Sequence, residues 1–160
     1  MENIFSSGDE PADVGPDPEL VATMKSGANW FYWIAGLSLV NSLILAFGGD
    51  VNFILGPAAT QIVDALAIAF SEEGAFSALR AAAFAVNLLI AGLFVAFGYF
   101  GRKGVLTAFI VGIVIYVFDG LVYLYFEDML AAGFHVFALI FIGKGVWAAV
   151  NLRPYVEQTN

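Results

Sequence analysis

Residues 104–126 read GVLTAFIVGIVIYVFDGLVYLYF, with a single charge, Asp119, among them. A helix that crosses a bilayer needs about 20 consecutive, mainly apolar residues, and this stretch supplies them. Working outward, Arg102 and Lys103 close it on one side, and Glu127 and Asp128 close it on the other. Three further stretches have the same character. One runs from about Ala28 to Phe47, uncharged between Lys25 and Asp50. Another runs from about Ala81 to Gly101, uncharged between Arg80 and Arg102. The last runs from about Met129 to Asn151, broken only by Lys144. The reading is an all-α integral membrane protein, a four-helix bundle of four spans.

Composition points the same way. Of 160 residues, 61% are hydrophobic and 12% charged, against roughly 45–50% and about 25% in soluble domains. A body this small cannot hide that much apolar surface from water. The chain has no cysteine, which excludes disulfides, thiolate metal sites and cysteine nucleophiles. It has one histidine, His135, so bis-histidine haem ligation within one chain is impossible. The net charge of −8 is concentrated at one end: Glu2, Asp9, Glu10, Asp13, Asp17 and Glu19 precede the first span. Basic residues are few and scattered, so no nucleic-acid partner is expected.

Between the first two spans lies a fifth apolar segment, residues 51–71. Gly56-Pro57 interrupts it, and a helix can restart there because proline is tolerated in a first turn. Beyond it, Ile62, Val63, Leu66 and Phe70 share one face, and Thr60, Gln61 and Asp64 share another. This predicts an additional amphipathic helix, interfacial or re-entrant. Its polar stripe is the wet face of an interfacial helix or a lid over the polar groups described below.

The distribution of basic residues orients the chain. With four crossings and a cytoplasmic N-terminus, Lys25, Arg102, Lys103 and Arg153 all lie inside, and only Arg80 lies outside. Five crossings would carry Arg102, Lys103 and Arg153 outward. Both termini are therefore expected in the cytoplasm, with the protein in the cell (inner) membrane. Aromatic belts are read at Trp30–Trp33, Tyr99–Phe100, Tyr125–Phe126 and Trp147. Residues 1–27 form an acidic tail without a signal-peptide pattern. Within it, Asp17-Pro18-Glu19 begins a short surface helix over Pro18–Ser26, ended by Gly27. Residues 28–151 are the membrane domain and 152–160 a C-terminal tail. A weak internal similarity relates residues 41–50 to 119–128: each places a polar residue nine positions before an acid.

At about 1.5 Å per residue, Asn41, Asn87, Asp119 and His135 each fall roughly 10 Å inside the outer end of a span. Hydrocarbon offers such groups no partner, which costs several kcal/mol per group, so they should turn inward as one layer. Tyr116 and Tyr123 lie on the Asp119 stripe and would line it. Either of two roles fits the layer. Buried polar groups in membrane helices serve as packing devices worth about 0.6 kcal/mol each, and an intramembrane acid is a functional candidate by default. Asp119 and His135 form the natural pair, with the acid neutral and donating, or ionised against a protonated imidazole.

Catalytic templates fail: GxSxG, HExxH, Walker A and GxGxxG are all missing. No enzyme activity, catalytic residue or metal site is expected. Three functional readings follow. The first is a non-catalytic accessory or structural subunit that packs with other membrane subunits or with copies of itself. The second is a proton-linked transporter or channel working through Asp119 and His135. The third is a lipid- or pigment-binding subunit in which His135 ligates one chlorin or haem. The cofactor, if any, is not specified by sequence.

Overall fold

The computed structural model describes residues 15–46, 57–69 and 76–157. The fold there is all-helical: α1 (Pro18–Ala46), α2 (Ala58–Ala69), α3 (Phe76–Arg102), α4 (Leu106–Tyr125) and α5 (Met129–Glu157). The acidic residues of the N-terminal tail before residue 15, the Gly56 half of the Gly-Pro break, Phe70 and the end of the repeat at residues 47–50 lie outside the described residues.

Among the described residues, three helices are long and apolar enough to cross a membrane: Ala78–Arg102, Leu106–Tyr125 and Met129–Tyr155. Their outward faces are apolar. Leu89 is 74% exposed, Phe118 66% and Leu130 65%, an arrangement that water penalises and acyl chains accept.

α1 opens as its sequence suggests, with Asp17 Oδ1 accepting the Glu19 N–H at 2.8 Å. It does not end at Gly27. A single helix of 29 residues runs from Pro18 through Gly27 to Ala46. Gly27 is a contact point instead of a cap: a Cβ there would sit 2.5 Å from the Gly145 Cα of α5. Small residues let helix backbones approach this closely. α5 likewise overruns the expected boundary at residue 151 and continues through Pro154 to Glu157, because Leu152 is buried against the core.

Two tight turns join the last three helices with the same hydrogen-bond pattern. After α3, the Val105 N–H reaches the Phe100 carbonyl and the Gly104 N–H the Gly101 carbonyl, with Gly104 at φ 80°. After α4, the Asp128 N–H reaches the Tyr123 carbonyl and the Glu127 N–H the Leu124 carbonyl. Both are Schellman closures. Glu127 holds φ 60°, where a side chain is strained. Asp128 then caps α5, its Oδ1 accepting the Ala131 N–H at 3.0 Å.

α1 packs against α3 and α5, and α4 against α5 and α3. α2 rests mainly on α3, with lesser contact to α4 and α1. The core below α2 is aromatic. Phe31, Phe94, Phe97 and Phe109 surround one another, with centroids 5.8 Å apart for Phe31–Phe97 and 6.1 Å for Phe31–Phe109. Phe31 is therefore core, not belt: it is fully buried. Trp30 is half-buried against Phe137 and Phe141. Trp33, Tyr99, Phe100, Tyr125, Phe126 and Trp147 do face outward. At the Arg102–Lys103 end, the Arg102 guanidinium donates to Asn29 Oδ1 at 2.6 Å, tying α3 to α1.

Candidate functional site: a buried aspartate–histidine pair beneath a short helix

The α4 stripe that carries Asp119 is buried throughout, through Phe109, Gly112, Tyr116, Asp119, Gly120 and Tyr123. Positions three and four apart share a helix face, and that face looks into the packed helices. Asp119 meets His135 of α5, with Nε2 and Oδ2 3.0 Å apart. The other ring nitrogen, Nδ1, lies 2.9 Å from the Ala131 carbonyl one turn back. A carbonyl can only accept, so Nδ1 carries a hydrogen. One further proton lies between Nε2 and Oδ2, since two facing lone pairs at that distance would repel. Whichever atom holds it, the pair is neutral overall, which is how an apolar interior tolerates it.

Asp119 does more than face His135. Its Oδ2 accepts the Ala58 N–H at 2.8 Å, and its Oδ1 accepts the Ala59 N–H at 3.0 Å. These are first-turn amides of α2, left without intrahelical partners by helix geometry. The positive end of the α2 dipole thus rests on the carboxylate. Pro57 sets up the contact: its carbonyl accepts from the Thr60 and Gln61 amides, so Ala58 and Ala59 are the next two positions and point outward along the axis. Tyr116 stacks on the imidazole with centroids 4.2 Å apart and planes at 20°, and Tyr123 tilts over it at 5.1 Å.

The expected single layer resolves into two clusters. Asp119, His135, Tyr116 and Tyr123 form the first. Asn87 belongs to the second: its Nδ2 donates to Ser42 Oγ of α1 at 2.9 Å and to Asp64 Oδ1 of α2 at 2.8 Å. Asn41, next to Ser42 on α1, is buried as well. Burial raises the Asp64 carboxyl above its ordinary range, and the Asn87 hydrogen bond works against that rise.

The candidate lid residues are turned inward, not toward water. Thr60 is buried with its hydroxyl donating to the Pro57 carbonyl at 2.8 Å. Asp64 and Gln61 are half-buried, and Asp64 faces Asn87. Of this stripe, Asp64 bonds to a side chain of α3 and Thr60 bonds back to the start of its own helix. Sequence reasoning missed the Ala58 and Ala59 amides and Ser42. Backbone donors leave no signature, although Pro57 at a helix start marks where unpaired amides must be.

Both ring nitrogens of His135 are engaged, so a tetrapyrrole metal could bind only by displacing Ala131 or Asp119. Three buried polar atoms near the two clusters, Ser38 Oγ, Asn87 Oδ1 and the Tyr116 hydroxyl, have no hydrogen-bond partner among the described residues. Compared with protein-family models, with curated proteins and with solved structures, the chain matches none. Among the described residues, fold and site define an all-helical protein with three helices long and apolar enough to cross a membrane and a buried ionisable pair.

Proposed function

We propose that this chain is a small polytopic membrane protein acting as a non-catalytic accessory or structural subunit of a larger membrane assembly. In this reading α1, α3, α4 and α5 are four crossings, both termini are cytoplasmic, and α2 belongs to the outer half. The observation that carries the role is the saturation of the Asp119–His135 pair. Both carboxylate oxygens and His135 Nε2 join α2, α4 and α5, while Nδ1 is taken up by the Ala131 carbonyl within α5, which is what a brace requires and leaves neither ring nitrogen open to a substrate. The exposed apolar faces of α3, α4 and α5 supply surface for lateral packing. The test is purification in mild detergent from the native membrane. Co-purifying membrane subunits or a defined homo-oligomer are expected, and a lone protomer with no companion overturns the subunit role.

The second reading, a proton-linked transporter or channel, draws on the unpartnered Ser38, Asn87 and Tyr116 atoms close to an ionisable pair. It expects pH-dependent flux in liposomes that Asp119→Asn abolishes. Flux absent from the native protein removes it.

A further inference from the structure

Amphipathic helices of soluble proteins bury the apolar face and give the polar face to water. α2 does the reverse. Thr60 and the half-buried Asp64 turn toward the packed helices beside the small Ala58 and Ala67, while Ala59, Ile62, Ala65, Leu66 and Ala69 are exposed. Ile62 and Leu66 are 41% and 51% exposed although both are large apolar side chains. An aqueous surface would select the opposite rotation about the helix axis, because burying Leu66 and exposing Asp64 would be favourable on both counts. Hydrocarbon selects the rotation that is seen. α2 packs against α3 and α4, both long and apolar enough to cross a membrane. At 12 residues α2 is about 18 Å long, too short for a hydrocarbon core of about 30 Å. A helix of that length cannot cross it.

Two sets of hydrogen bonds hold α2 in place. Asn87 holds Asp64 at mid-helix, and Asp119 holds the Ala58 and Ala59 amides at the N-terminal end. The second set places the carboxyl oxygens at the positive end of the helix dipole. We propose that α2 is a re-entrant helix immersed in outer-leaflet acyl chains, latched onto the membrane domain by the Asp119 carboxylate through its first-turn amides. This rests on the membrane reading above and goes beyond it by fixing the surroundings of α2 and the group that keeps it seated.

The chain has no cysteine, so single spin labels need no background removal. The full chain carrying Ile62→Cys or Leu66→Cys, labelled and reconstituted in phosphatidylcholine–phosphatidylglycerol vesicles, should collide preferentially with oxygen over a water-soluble nickel chelate. Leu89→Cys and Phe118→Cys, on the spans, report the membrane reading separately. If those two favour oxygen while positions 62 and 66 favour nickel, the inference about α2 fails and the membrane reading stands. If positions 89 and 118 favour nickel, both fall. Adding Asp119→Asn places an amide against the α2 N–H groups and should lower the oxygen preference at 62 severalfold. Ala59→Pro tests the latch without touching the pair: it removes one donor at an exposed first-turn position and should shift the same ratio in the same direction. An unchanged ratio in Ala59→Pro, or in a folded Asp119→Asn protein, overturns the latch.

Discussion

Asp119 is the residue on which the most bonds converge, and its removal should be the most costly single change. Asp119→Ala strips His135 of its hydrogen-bond partner and leaves two α2 amides unpaired, so a loss of about 3–5 kcal/mol is expected, measurable by denaturant titration in detergent. The double change Asp119→Leu with His135→Leu should recover part of that loss, because no buried ring nitrogen is then left without a partner. Asp64 carries a pH signature. Burial raises its folded carboxyl above the ordinary value of 3.8, so the folded state holds a proton that the unfolded state releases. Stability should therefore fall as pH rises from about 3.8 through the raised value, and be flat beyond it. Asp64→Asn should flatten that decline, and an unaltered slope would reassign it to another group. At this scale the sequence was informative about burial. Asn41, Asn87, Tyr116, Asp119, Tyr123 and His135 are all buried, because an apolar surrounding allows them no other place. Partnership was not legible: that Asn87 belongs with Asp64 and Ser42, and not with Asp119, depends on rotations about helix axes that apolar periodicity leaves undetermined when every face is apolar.

Among the elements, α4 was the most readable and α1 the least. The α4 ends fall within two residues of the apolar run, since Gly104 and the Glu127–Asp128 turn stop it on both sides. In α1, Gly27 has the composition of a stop signal but serves as a contact, and the partner that reveals this, Gly145, is 118 positions away (145 − 27). Gly27→Val should consequently separate α1 from α5 and lower stability by about 3 kcal/mol or prevent folding, whereas a helix stop would tolerate the change. A fluorescence or circular-dichroism melt distinguishes the two. The turn after α4 offers the opposite kind of change. Glu127 sits at φ 60° with an exposed side chain, so Glu127→Gly should relieve strain and stabilise by about 1 kcal/mol. No gain in melting temperature would mean that the carboxylate has an interaction that offsets the strain. In α2 the polar residues Thr60 and Asp64 turn inward together with the small Ala58 and Ala67. Spacing could sort them from Ile62 and Leu66 but could not say what each set looks at, because periodicity divides a helix into sides without revealing which side is solvent.

For the molecule as a whole, the membrane character followed from composition and run length, properties that do not depend on packing. The number of crossings rests on charge placement, and labelling is the direct check: a thiol introduced by Lys103→Cys should react only with reagents reaching the cytoplasmic face, and reaction from the opposite face would discard the four-span topology. The hydrogen bonds to α2 span 23 residues from Asp64 to Asn87, and 61 and 60 from Ala58 and Ala59 to Asp119. Both anchors are therefore made later on the ribosome than the helix they secure. α2 therefore cannot complete its hydrogen bonds until α4 has been made, and waits unsheltered until then. Nascent chains arrested before residue 119 should leave position 62 open to water-borne reagents that the finished protein excludes.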